Sequence, residues 1–432
     1  MCDNFVPKIL GETSVQVGLN GWEIPSKGKI NGMKLKNANN KALLALAIGG
    51  FGIGLTEFVI MGILPDVAGG LNISIPQAGH FIAAYAIGVV LGAPLLTKWG
   101  DRMDSNKMLL ILMLWFTVFN TLSGFANSYG WLLAFRFLSG LPHGAFFGIG
   151  AVVAGRLAKE GKAAQAMAVM FSGLTVANVI GVPVGTYIGH HFDWSFSFFM
   201  VGLVGLLAMS GIFAWMPKMA QLPPTFHVSE QKGLKNKELW ALILLTTIGT
   251  GGFFAWYSYI APLMTDVAGW GQNMVGYAMI LAGLGMVVGN FLGAKMAEWF
   301  APLRAVAISL SIMVVLLLLN TMFAFHPYAV LALTFLIGTA SFTVATPIQM
   351  AIINTSKGSE MLGSSMNQSA FNMGNATGAY LAGLPIAFGY GFVYSSLVGA
   401  VLAATGVAIA VSILVYRNQR GRSHRRKMAF NS

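Results

Sequence analysis

The sequence predicts an all-α integral membrane protein of twelve transmembrane helices, built as two pseudo-symmetric six-helix bundles. Three observations predict it: a composition too apolar for a water-facing surface, twelve long apolar runs, and a pattern that recurs after about 200 residues. Of the 432 residues, 56% are hydrophobic and 9% charged, with a mean hydropathy of +0.70. An ordinary soluble domain carries roughly 25% charged residues, so lipid must be the solvent for most of this chain. Glycine is abundant, at 53 residues. Small residues let helices approach closely where lipid supplies no hydrophobic drive between them.

A hydrocarbon core of about 30 Å takes about 20 apolar residues to cross. Such runs cover 42–64, 78–96, 108–126, 131–157, 163–189 and 196–216, and then 239–264, 274–296, 305–325, 328–353, 362–388 and 392–415. The expected organisation follows. Residues 1–40 form a disordered N-terminal segment, 41–217 a first bundle, 218–238 a polar linker, 239–416 a second bundle and 417–432 a basic tail. Met33 with Lys34 and Lys36 sits directly before the first apolar run, so residues 1–32 read as an upstream extension or a disordered tail.

The net charge of +12 gains meaning only from its placement. Twenty-five of the 26 lysines and arginines fall in segments that a twelve-span arrangement puts on one side. By the positive-inside rule that side is the cytoplasm, and both termini lie there. The basic balance is thus membrane topology and not a nucleic-acid footprint. The expected location is the inner (plasma) membrane. The single cysteine, Cys2, leaves no intramolecular disulfide or cysteine metal cluster. No phosphate-binding loop or paired-histidine metal motif occurs, so neither an enzyme nor a cofactor is expected.

The halves echo each other. Asp66-Val-Ala-Gly69 follows the first run and Asp266-Val-Ala-Gly269 the seventh, while Trp99 and Trp299 end the second and eighth. Asn178-Val-Ile-Gly181 and Asn375-Ala-Thr-Gly378 occupy the fifth and eleventh. A parallel repeat of six helices suits a protein with a midplane site between two similar halves.

Several motifs resemble the major facilitator superfamily, and within it the drug:proton antiporter group, arabinose-efflux-permease-like branch. The likeness spans 41–416. It is most specific over Arg136-Phe-Leu-Ser-Gly140-Leu-Pro-His143-Gly144 and Gly173 to Thr186, where Gly181, Pro183 and Gly185 resemble the antiporter motif of the fifth helix. Asn367 to Asn375 resembles the same branch. The loop Gly100-Asp101-Arg102 to Lys107 is similar to the superfamily's cytoplasmic gate motif, although Thr97, Ser105 and Asn106 depart from it. The resemblance implies a major facilitator fold and export of a small sugar or drug-like solute by proton antiport, through alternating access in a functional monomer. Its partners would be solute, protons and lipid. A proton-coupled uptake symporter is the rival reading, against which the Pro183 motif argues. A transport-derived membrane sensor is the reading from another class.

Ionisable residues inside a bilayer are costly and so become functional candidates. Few occur here: Glu57, Arg136, His80 and His143. Glu57 lies about 22 Å into the first span at 1.5 Å per residue, and Arg136, on the descending fourth span, reaches a similar depth. The resemblance places both helices along the cavity. Glu57 and Arg136 are therefore expected to interact in proton coupling, or to form a static pair, with His143 near the midplane as a possible relay or a packed residue. His80 has a weaker claim. Asp66 and Asp266 are expected to cap local helices. Gln368, Asn372 and Asn375, with Asn367 beside them, put carboxamides on one helical face; they bind solute or join neighbouring helices. Asn178 is the expected counterpart of Asn375. Tyr85 and the aromatics Trp256, Tyr257 and Tyr259 supply an aromatic wall. Pro183 with Gly181 and Gly185 is expected to loosen the fifth helix or bring it tightly against the eighth.

Overall fold

The computed structural model describes residues 32–73, 75–100, 103–217, 236–271 and 273–430. The expected disordered stretch up to residue 31, most of the linker (218–235) and the gate residues Asp101 and Arg102 lie outside the described residues. Among the described residues twelve long helices follow one another, without strands. The first six are α1 (Gly32–Gly62), α2 (Ile75–Gly100), α3 (Ser105–Gly124), α4 (Tyr129–Leu157), α5 (Ala163–His191) and α6 (Trp194–Trp215). The second six are α7 (Lys237–Tyr257), α8 (Asn273–Phe300), α9 (Pro302–Phe323), α10 (Pro327–Thr355), α11 (Glu360–Ala387) and α12 (Tyr394–Phe430).

Eleven of these helices are long and apolar enough to cross a membrane. The exception is α11, whose 28 residues include the buried amides Asn367, Gln368 and Asn372. A helix that polar is tolerated in a bilayer when its amides face protein instead of lipid. Helix α1 begins at Gly32, ahead of the expected start of the first bundle at residue 41. Asn39 explains part of the extension: its Nδ2 donates to the Leu157 carbonyl at 2.9 Å. Leu157 ends α4, where carbonyls lack intrahelical partners.

With twelve spans, the start of α1 and the end of α12 share one side, here the terminal side; the opposite one is the far side. Each half has its own core. Leu46, Phe116, Phe146, Phe147 and Met170 centre the first, with Phe81 and Phe198 in a satellite cluster toward the far side. Leu242, Phe253, Trp256, Leu310 and Ile348 centre the second. The repeat survives in the backbone. Gly161 and Gly358 hold φ of 73° and 82° in the corresponding α4–α5 and α10–α11 turns, a region open to glycine at little cost.

Contacts between halves are lopsided. Thr97 Oγ1 of α2 meets Ser365 Oγ of α11 at 2.6 Å. Ser369 Oγ donates to the Val90 carbonyl at 3.1 Å, and Asn290 Nδ2 of α8 to the Ala168 carbonyl of α5 at 2.7 Å. Nearest the terminal side, Lys162 Nζ and Gln165 Nε2 both lie 3.2 Å from Glu298 Oε2. Ala164, Ala168, Ala294 and Ala297 pack between α5 and α8 beneath them. These interhalf contacts all lie nearer the terminal than the far side.

Helix α5 widens into a π-helical turn over Ala177–Gly181, directly before Pro183. Proline has no N–H and crowds the preceding turn, and the wider turn absorbs that mismatch. Gly181 and Gly185 do not abut α8 as expected. A Cβ on Gly181 would meet Phe51 at 2.8 Å, and one on Gly185 would meet Val59 at 2.6 Å, so both make room for α1. The approach to α8 is made just before them, where a Cβ on Gly283 would meet Val179 at 3.0 Å.

Candidate functional site

Arg136 is wholly buried. Removing a guanidinium from water costs several kcal/mol unless partners replace its hydration. The first replacement comes from α1. Arg136 Nη1 donates to Thr56 Oγ1 at 2.8 Å, and Nη2 to the Thr56 carbonyl at 3.2 Å. The second comes from α2, where the guanidinium sits over the Tyr85 ring, 4.4 Å from its centroid. Phe198 of α6 lies at 5.7 Å. Arg136 Nε meets no hydrogen-bonding partner.

Polar contacts continue outward in two directions. Thr56 Oγ1 donates to Asn120 Oδ1 of α3 at 2.5 Å, and Asn120 Nδ2 donates to the Phe116 carbonyl at 2.8 Å. On the other side, the Tyr85 hydroxyl lies 3.1 Å from His143 Nδ1. Tyr85 and His143 are each 2% exposed. His143 also packs its ring against Phe147. Arg136, Tyr85 and His143 therefore form one cluster, as the sequence suggested for two of them, while Tyr85 belongs to this ionic cluster more than to an open aromatic wall.

Glu57 is half-buried and adjacent in sequence to Thr56. The ion pairs among the described residues are Lys107–Asp104, Lys162–Glu298, His190–Asp66 and Arg417–Glu238. Glu57–Arg136 is not among them. Glu57 and Arg136 influence each other electrostatically without direct contact, because threonine backbone and hydroxyl occupy both guanidinium ends.

The amides of α11 divide. Asn367, wholly buried, accepts from Thr246 Oγ1 at 2.8 Å and donates to Gln349 Oε1 at 2.5 Å. Gln349 of α10 also donates to Ser364 Oγ and receives Gln368 Nε2 at 3.5 Å. Asn372 Nδ2 turns back to the Gln368 carbonyl at 3.1 Å. These groups join α7, α10 and α11. Asn375 is half-buried and outside that network. Asn178 donates to its own helix, at the Leu174 carbonyl, at 3.1 Å. Trp256 is wholly buried with Nε1 unpartnered, and Tyr257 is 7% exposed.

Remaining candidates lie apart. His80 Nδ1 is 2.8 Å from the exposed Tyr129 hydroxyl. Asp66 pairs with His190 Nδ1 at 2.7 Å, whereas its twin Asp266 accepts from the adjacent Thr265 hydroxyl at 2.6 Å; the repeated carboxylates have diverged in use. Lys107 pairs with Asp104 at 3.2 Å within its own helical turn. The charged bridge between halves is instead Lys162 with Glu298. Thr56, Asn120, Gln349 and Glu298 were not singled out from the sequence. For Asn120 a signal existed, since Asn320 stands 200 positions later.

Comparisons agree with this architecture. The sequence profile described as "Major Facilitator Superfamily" matches residues 46–366. A protein named AraJ from Escherichia coli (strain K12) is 36% identical over 381 residues, covering 87% of this chain and 95% of its own. A protein of Streptomyces lividans named for chloramphenicol resistance is 28% identical over 378 residues, covering 86% of this chain and 94% of its own. Among solved structures, the E. coli fucose:proton symporter superposes with a TM-score of 0.71 at 14% identity, over 86% of this chain and 98% of that one. The profile alone covers well over half of the chain, and twelve helices in two six-helix bundles match the fold: this protein belongs to the Major Facilitator Superfamily.

Proposed function

We propose that the chain exports a small organic solute, sugar or drug-like, in exchange for protons. The observation that carries this reading is the wholly buried Arg136, anchored to the residue before Glu57. A buried cation beside a half-buried carboxylate of the same bilayer depth is costly to keep without use. In this reading Glu57 takes up and loses the proton, Arg136 answers its change of charge, and Tyr85 with His143 extends the site beyond Arg136. Solute binds between the halves against the face of α11 that carries Asn375.

Terminal-side closure fits alternating access: the Lys162–Glu298 and Thr97–Ser365 contacts hold one entrance shut. With the terminal side read as the cytoplasmic one from its lysines and arginines, closure there corresponds to an outward-facing state. Export is favoured by the Streptomyces relative, since a membrane transporter confers resistance to a drug by lowering its internal concentration.

The test is flux in proteoliposomes with an imposed pH gradient, using labelled chloramphenicol and a panel of sugars in both polarities. Solute should move against the proton flow in the wild type, and Glu57→Gln should abolish that response. Gradient-driven flux that survives in Glu57→Gln defeats the proton role. Co-directional movement of solute and protons establishes the symporter instead.

A further inference from the structure

We infer that Thr56 and Asn120 are positioning residues that set the proton response of the Glu57–Arg136 site; this rests on the proton-coupled reading above. The inference comes from the direction of each hydrogen bond in the chain from α3 to α4. The Phe116 carbonyl can only accept, so it fixes which end of the Asn120 amide points toward it. Asn120 Oδ1 must then face Thr56, and it takes the single hydroxyl proton. With that proton committed, the lone pairs of Thr56 Oγ1 remain to accept from Arg136 Nη1, while the backbone carbonyl of Thr56 accepts from Nη2. Thr56, Asn120 and Arg136 are all 0% exposed, so no water competes for these bonds.

Two of the three guanidinium nitrogens are thus tied to the residue directly before Glu57. Arg136 and Glu57 therefore share an anchor on α1, and the cation lies over the Tyr85 ring of α2. The repeat supplies an internal control. Two hundred positions later stand Trp256 for Thr56, Tyr257 for Glu57 and Asn320 for Asn120, and Thr334, four residues before Gly338 as Arg136 is before Gly140, stands for Arg136. There the asparagine is buried too, yet its Nδ2 donates to Ser396 Oγ at 2.9 Å and its Oδ1 meets no partner, nor does Trp256 Nε1. The second half keeps the asparagine without the cation and without the ordered chain. The chain in the first half therefore serves the cation and is not a requirement of the fold.

The experiment needs no identified solute. A cysteine at Ala164, 1% exposed between the halves, is introduced in a Cys2→Ser background, and its labelling by a membrane-impermeant maleimide is titrated against pH in proteoliposomes. The midpoint of that titration reports the proton affinity of the conformational switch. Thr56→Val and Asn120→Leu should each move the midpoint by about one pH unit, the size expected when a site loses one hydrogen bond to a charged group. Thr56→Ser, which keeps the hydroxyl, should restore it. Thr56→Ala covers the event that the valine does not fold. Midpoints equal to wild type in the folded Thr56 and Asn120 variants overturn the inference. So does a serine variant shifted as far as valine. Glu57→Gln runs alongside: if its labelling still titrates like the wild type, the proton-coupled reading itself fails.

Discussion

Lys162 of the first half and Glu298 of the second meet 3.2 Å apart across the terminal-side entrance. Nearby, Arg156 at the end of α4 and Glu360 at the start of α11 interact electrostatically. In both cases the first half brings the cation and the second the anion. The repeat makes the inversion visible, because Glu298 stands 200 positions after Lys98. Two halves with identical charges at matching positions would repel on closure, and sign inversion turns the same symmetry into attraction.

Reversing one charge should therefore open this entrance. Lys162 and Glu298 side chains are 51% and 21% exposed, and exposed pairs contribute about 0.2–1 kcal/mol. Lys162→Glu should raise the fraction of open molecules by up to about fivefold. The double variant Lys162→Glu/Glu298→Lys should bring it back. Maleimide labelling of a cysteine at Ala164 measures both. A double variant as open as the single one refutes the clasp.

Two glycine substitutions separate closure from folding. A Cβ on Gly148 of α4 would overlap Ser365 of α11, across the halves. A Cβ on Gly173 of α5 would overlap the Ala47 carbonyl of α1, inside one half, with Phe51 N only 2.7 Å away. Gly148→Ala should favour the terminal-open state with little loss of melting temperature. Gly173→Ala should destabilise the bundle itself by about 1–3 kcal/mol, the usual cost of overpacking. Labelling and thermal unfolding in detergent, read together, would contradict this if the two variants behaved alike.

The spans were legible because a bilayer demands uninterrupted apolar runs, and even α11 announced itself by its length and its amide spacing. The depth of Glu57 and Arg136 was legible too, since rise per residue fixes position along a helix. Their contact was not. Neighbouring residues on a helix point about 100° apart, so depth alone could not say whether Thr56 or Glu57 faces α4. Thr56 and Asn120 are neutral and give no hydropathy signal of their own. Only the offset between Asn120 and Asn320 marks one of them. Likewise the gate motif pointed to the α2–α3 loop, whereas the interhalf ion pair is formed by a lysine in the α4–α5 turn.

Tyr85 offers Arg136 its ring and His143 its hydroxyl, and the two can be weighed apart. Tyr85→Phe removes the 3.1 Å contact to His143 and keeps the ring beneath the guanidinium. A neutral hydrogen bond contributes about 1 kcal/mol, so gradient-driven flux should fall no more than about fivefold. Tyr85→Leu removes the cation–π contact, worth about 2 kcal/mol when desolvated, and should cost about thirtyfold. Equal losses in the two variants would assign the role to the hydroxyl and His143 instead.

Gln349 should be more important to stability than any amide that faces the cavity. It lies 0% exposed between α10 and α11, where its carboxamide serves Asn367, Ser364 and Gln368 at once. Gln349→Leu leaves the Asn367 Nδ2 and Ser364 hydroxyl groups without that partner in a site closed to water. Each orphaned group costs about 1–3 kcal/mol, and interhelical bonds inside membranes average nearer the low end. The expected loss is about 2 kcal/mol, seen as a lower melting temperature in detergent. Asn375→Leu, at the half-buried end of the same stripe, should leave the melting temperature near wild type and weaken solute binding instead. A Gln349 variant that melts like the wild type but fails to bind solute would move the binding surface from Asn375 to the buried amides of α11.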